Sequence, residues 1–125
     1  MLLRDETGAA TLGGVRLSSL VEPEGTVATP AYVYDVDAIA GEAAELSGAF
    51  GAQPHLIAYA VKANSAGPIL RALAAQGVGA DVVSGAELAL ATACGVAASA
   101  LVFSGVAQSA AELDRAIGAG QHGIL

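Results

Sequence analysis

Segments able to form strands begin near residues 31, 56, 80, 101 and 123, and a helix-forming stretch fills each interval between them. The spacing is 21 to 25 residues. Strand, helix and strand repeated at that period dictate right-handed βαβ units on a parallel sheet. The strand runs are short and apolar rather than alternating, as expected for strands covered on both faces. Ala31-Tyr32-Val33-Tyr34 reads as the first strand, with Asp35 or Asp37 capping a helix that runs to about Phe50. Leu56-Ile57-Ala58-Tyr59-Ala60-Val61 is the second. Asn64 or Ser65 then caps a helix with Pro68 in its first turn and Gly77 past its end. Ala80-Asp81-Val82-Val83 is the third strand, followed by a helix from about Gly85 to Cys94 that Gly95 halts. Leu101-Val102-Phe103 is the fourth. Ser109 and Glu112 have capping-box spacing at the head of a helix ending near Gly118, and Gly123-Ile124-Leu125 starts a fifth strand.

A doubly wound sheet and a (β/α)8 barrel both fit this pattern. A complete barrel takes about 250 residues, and this chain has 125, so it reads as part of something longer. The first 30 residues differ from the rest. Thr11-Leu12-Gly13-Gly14-Val15-Arg16-Leu17 places two apolar runs around Gly-Gly, the pattern of a hairpin. Glu22-Pro23-Glu24-Gly25 follows as a connector. The chain thus divides into a β segment with its connector over 1–30 and an incomplete α/β unit over 31–125.

Composition narrows the function. Twelve acidic residues against five basic ones leave a net charge of -7, with a pI near 4.4 and no basic cluster. That excludes the electrostatic footprint of a nucleic-acid binder and attraction to an anionic membrane surface. Hydrophobic residues at 54% with charged residues at 14% exclude a disordered chain. Residues 88 to 111 carry no charge over a length that could cross a bilayer. Thr92, Ser99, Ser104, Gln108 and Ser109 interrupt them, however, and Gly95 and Gly105 punctuate them, so they read as core. The N-terminus lacks the apolar stretch of a signal peptide, and Cys94 is the sole cysteine, so a reducing cytoplasmic location is expected. His55 and His122 are too far apart for a metal motif, and Cys94 has no CxxC partner, so no metal is expected.

Lys62 is the only lysine; Arg4, Arg16, Arg71 and Arg115 supply the other basic groups. It stands at the carboxyl end of the most hydrophobic strand run, where active sites gather in parallel α/β folds. Lost hydration there favours the neutral, nucleophilic amine suited to Schiff-base chemistry. The alternative is a lysine that marks the strand end and reaches out to water. Both readings remain open on position alone.

The surrounding words add to this. Tyr59-Ala60-Val61-Lys62-Ala63-Asn64-Ser65 resembles the signature around the pyridoxal-phosphate lysine of the barrel-type amino-acid decarboxylases. Gly79-Ala80-Asp81-Val82-Val83-Ser84-Gly85-Ala86-Glu87-Leu88 is similar to that family's second signature. Val102-Phe103-Ser104-Gly105-Val106, with Ser109 and Glu112, resembles a third. Within the family, Val82-Val83-Ser84-Gly85 and the lack of a Cys after the lysine are most similar to the branch acting on diaminopimelate. The ornithine- and arginine-type enzymes are the alternative, as is a non-catalytic relative. Three departures stand out: Ala86 in place of a second Gly, Gln108 in place of a common Lys, and Gly67-Pro68 at a helix start.

The resemblance implies a partial (β/α)8 barrel of the alanine-racemase type that decarboxylates meso-diaminopimelate to lysine with pyridoxal phosphate. It implies that Lys62 is the Schiff-base lysine, that Ala60 lines the cofactor pocket and that Asp81 lies near both. Glu87 corresponds to an acidic residue near the site, with a plain helix-face carboxylate as the other reading. Ser84 and Ser104 are possible ligand contacts. It further implies an amino-acid substrate, a homodimer for the full-length enzyme, and a carboxy-terminal β domain that residues before about Pro30, with the Ala31–Tyr34 run, would join. The family's phosphate cradle and substrate-carboxylate contacts would lie beyond Leu125. The chain alone is therefore expected to have little activity and to expose open sheet edges.

Overall fold

A computed structural model describes residues 2–21, 23, 25–105, 109–118, 120 and 123–124. Glu22 and Glu24 of the connector, Val106 and Gln108 of the third motif, His122 and Leu125 lie outside the described residues. The chain forms two compact units, Met1–Ala38 and Ile39–Leu125.

The first unit is a three-stranded antiparallel sheet of β1 (Leu2–Arg4), β2 (Ala10–Leu12) and β3 (Val15–Arg16). The expected hairpin joins β2 and β3. Gly13 and Gly14 have φ of 57° and 76°, so both centre residues of its tight turn are in the left-handed region that only glycine enters freely. The pairing of β1 was not legible, because three residues are too few to show a periodicity. Asp5, just past β1, collects the hydroxyl and amide of Thr7 at 2.6 and 2.9 Å, the Ala9 amide at 3.0 Å and the Arg16 guanidinium at 2.5 Å. One carboxylate thereby ties the loop after β1 to β3.

The expected strand at 31–34 does not form. Those residues are irregular and exposed, Tyr32 to 90%. A strand needs a partner for its backbone groups, and the run has β-forming residues without one among the described residues. Asp35 does cap the next helix: its Oδ1 accepts the Ala38 amide at 2.9 Å as α1 (Val36–Ala49) begins.

The second unit carries a fully parallel sheet in the order β4 (Ala58–Ala60), β5 (Gly79–Val82), β6 (Leu101–Phe103), β7 (Gly123–Ile124). Helices α2 (Gly67–Ala75), α3 (Gly85–Ala93) and α4 (Ala110–Gly118) fill the crossovers. Sequential strands are neighbours throughout, the order of a barrel wall rather than of a doubly wound sheet, whose order reverses at a switch point. The strands are shorter than the apolar runs, since β4 stops at Ala60 and Val61–Ala63 makes a 3-10 turn. Pro68 falls in the first turn of α2 as expected, but the capping residue is Ala66, and Asn64 acts through the loop instead. Gly77 and Gly95 end their helices at φ of 76° and 92°.

Alternation along each strand sorts the side chains. Ala80, Val82, Leu101 and Phe103 are buried with Leu70 of α2, Leu88 and Ala91 of α3 and Cys94 just past it. Ile69, Leu73 and Val78 form a second buried group against Ile39 and Ala43 of α1. The other row, Ala60, Asp81 and Val102, pairs across three strands in register and is only half-buried. This row and the loops after it hold the polar groups described next.

Candidate active site

Three consecutive strand ends bring the predicted residues to one end of the sheet. Ala60 is the last residue of β4 and is in register with Asp81 of β5. Lys62 sits two residues on, in the 3-10 turn. Two hydrogen bonds shape the loop that holds it: the Tyr59 hydroxyl donates to the Asn64 carbonyl at 3.2 Å, and Asn64 Oδ1 accepts the Ala66 amide at 3.0 Å. The loop between β4 and α2 is thus fastened on both sides of the lysine.

Lys62 is exposed. The dehydrated amine expected from its apolar neighbours is not what the structure shows. The strand ends at Ala60, before Lys62, and the 3-10 turn that holds the lysine lies beyond the four described strands of the sheet. The amine has no ion pair or hydrogen bond among the described residues.

Asp81 is half-buried, and Ser104 Oγ donates to its Oδ1. Ser104 follows β6, and its amide donates to the Val82 carbonyl at 3.0 Å, so the β5–β6 ladder continues one step past the strands. Ser84 is the N-cap of α3 and accepts the Glu87 amide at 3.2 Å. Glu87 reaches back to accept the Val83 amide at 2.8 Å, so its carboxylate serves the start of its own helix. The Ser109–Glu112 capping box forms as expected, with the Ser109 amide 2.9 Å from Glu112 Oε2 and the Glu112 amide 3.3 Å from Ser109 Oγ. The other oxygen of Glu112 accepts the Gly85 amide at 3.1 Å, joining the starts of α3 and α4.

The sequence reading missed two links, Ser104 to Asp81 and Glu112 to Gly85. The period itself was the available signal. Asp81 is in register with Val102 on the next strand, and Ser104, two residues past Val102, comes within reach of its carboxylate. His55 lies at the far end of β4 in an exposed loop, stacked on Phe50 with ring centroids 4.5 Å apart and bonded to Ser47 Oγ at 3.0 Å. Cys94 is buried in the core. No group of three or more metal-ligating side chains occurs among the described residues, and none of their helices is long and apolar enough to cross a membrane.

A primary amine with no ion pair or hydrogen bond among the described residues, a carboxylate and a hydroxyl thus stand at neighbouring strand ends. Residues 36–124 match the family described as pyridoxal-dependent decarboxylase, pyridoxal binding domain. The chain belongs to that family. Among curated decarboxylases of the family, the diaminopimelate decarboxylase of Pseudomonas fluorescens is 41% identical over 109 residues, which are 87% of this chain and 26% of the relative. That of Neisseria meningitidis serogroup B is 44% identical over 92 residues, 74% of this chain and 22% of the relative. Solved structures agree. Diaminopimelate decarboxylase from Helicobacter pylori complexed with L-lysine superposes with a TM-score of 0.73 at 40% identity, covering 79% of this chain and 25% of that one. The M. jannaschii enzyme in co-complex with L-lysine gives 0.84 at 28% identity, over 99% and 29%. The fold is accordingly part of a decarboxylase-type α/β barrel. The chain spans about a quarter of the length of the curated relatives it matches.

The residues present suit the family's cofactor. The Lys62 amine carries no competing ion pair among the described residues, and Ala60 and Ala63 beside it have no side chain beyond Cβ to obstruct a ring. Asp81 offers a carboxylate one strand away, with one oxygen taken by Ser104.

Proposed function

We propose that this chain supplies the Schiff-base lysine of a pyridoxal-phosphate-dependent decarboxylase that converts meso-diaminopimelate to L-lysine. The observation that carries the reading is the Lys62 amine, unpaired among the described residues at the carboxyl end of β4, in a chain 39–44% identical to several diaminopimelate decarboxylases. Bound pyridoxal phosphate supplies an electron sink for the pair released with carbon dioxide. The chain's own residues do the rest. Lys62 would hold the cofactor through Nζ, and that same amine, when not so engaged, could hold and return a proton. Ala60 leaves the space beside it. Asp81 places a negative charge that favours cationic nitrogens at the same end of the sheet. Ser84 and Glu87 fix the turn that follows Asp81 by capping α3.

The lengths of the relatives support a larger working enzyme. In it, residues 1–30 join a β domain, 31–125 begin the cofactor barrel, and two copies form a cytoplasmic homodimer. The test is turnover by the full-length enzyme that contains this chain, with pyridoxal phosphate. Carbon dioxide and lysine released from meso-diaminopimelate, and far less product from ornithine or arginine, support the reading. Preferred turnover of ornithine or arginine overturns the substrate assignment.

A further inference from the structure

Resting on the pyridoxal reading above, we propose that Ser104 is a positioning residue that acts on the cofactor site through Asp81 and does not itself contact the cofactor. Four observations carry this. Ser104 Oγ donates to Asp81 Oδ1, so its hydroxyl proton is committed to the carboxylate. The Ser104 amide is bonded to the Val82 carbonyl at 3.0 Å, which fixes the serine backbone relative to the strand bearing Asp81. Asp81 is in register with Ala60, two residues before the amine-bearing Lys62. Its Oδ2 has no hydrogen bond or ion pair among the described residues, while Oδ1 is occupied.

A carboxylate is free to turn about its last torsion, and either oxygen can face a cation. The serine removes that choice. With Oδ1 held, Oδ2 is the oxygen left to meet a protonated nitrogen, whether the Lys62 ammonium or a cationic group of the bound ligand. Ser104 therefore sets the direction of a carboxylate on the strand beside the one that leads into Lys62, with no contact of its own to the ligand.

The full-length enzyme carrying Ser104→Ala, Ser104→Thr, Asp81→Asn or the S104A/D81N pair, each checked for folding by circular dichroism, tests this. Borohydride reduction of the pyridoxal-phosphate-treated wild type comes first; failure to label Lys62 there overturns the pyridoxal reading and this inference with it. Given labelling, S104A is expected to bind pyridoxal phosphate within about two-fold of wild type, while the absorbance of the bound cofactor responds to pH differently and kcat falls about ten-fold. S104T restores both, and S104A adds no further change in the D81N background. Weakened cofactor binding in S104A, effects that multiply with D81N, or an unchanged spectrum and rate each overturn the inference while leaving the pyridoxal reading intact.

Discussion

Ser104 Oγ and Asp81 Oδ1 are hydrogen-bonded across 23 residues of sequence, joining the carboxyl ends of β5 and β6. A second link, from the Gly85 amide to Glu112 Oε1 at 3.1 Å, joins the helices that follow those strands. The two consecutive βα units are thus tied twice on the side where Lys62 stands. Asp81 and the start of α3 are held in place by polar contacts from the next unit, beyond the packing beneath them.

The outer link gives a stability prediction. Glu112→Ala removes the acceptor for the Gly85 and Ser109 amides together, and a lost cap costs about 0.5 to 2 kcal/mol. Glu112→Gln keeps one carbonyl acceptor and is expected to lose less. Denaturant unfolding of the two variants against wild type checks the order.

At the start of α3, Ser84→Ala is expected to cost about 1 kcal/mol, and Ser84→Gly only a few tenths, as for other N-caps. Thermal unfolding reads both. Equal losses in the two variants would mean that Ser84 matters for something other than its bond to the Glu87 amide.

The first unit has its own pH response. Asp5 is held down to about 2 from its ordinary 3.8, chiefly by the Thr7 hydroxyl. Arg16 and the Ala9 and Thr7 amides assist, against an opposing effect of lost hydration. A carboxyl whose folded value is depressed stabilises the fold above its unfolded value and loses that contribution as pH falls through the folded one. Hydrogen-bonded structure around β1 and β3 is therefore expected to weaken between pH 4 and pH 2. Amide exchange in that window, compared between wild type and Asp5→Asn, measures it, and the variant is expected to lack this component of the pH dependence.

Gly79 tests the close approach of two strands. A Cβ there would overlap the carbonyl oxygen of Ala100, which is backbone and cannot swing aside. Gly79→Ala is expected to destabilise the protein by about 1 to 3 kcal/mol, the usual range for overpacking. Unfolding at wild-type denaturant concentration would show that the strands can separate at no cost.

The βαβ repeat, the Gly13–Gly14 hairpin, the helix stops and the Ser109 capping box were legible because each rests on local chemistry. The 31–34 strand was misread for the converse reason: Tyr32, Val33 and Tyr34 have strand propensity, but pairing depends on a partner that local sequence does not specify. Lys62 could be placed at a strand end, yet its exposure follows from where β4 stops and from how many strands stand around it. The type and helix position of Glu87 fit two readings, and the geometry shows its bond to the Val83 amide.

Lys62 carries the central claim, and its being the only lysine makes the decisive measurement clean. The purified protein, incubated with pyridoxal phosphate, reduced with borohydride, digested and mapped by mass spectrometry, is expected to carry the pyridoxyl group on the Lys62 peptide, and Lys62→Ala to carry none there. Cofactor retained by the wild type with the Lys62 peptide unlabelled would contradict the account.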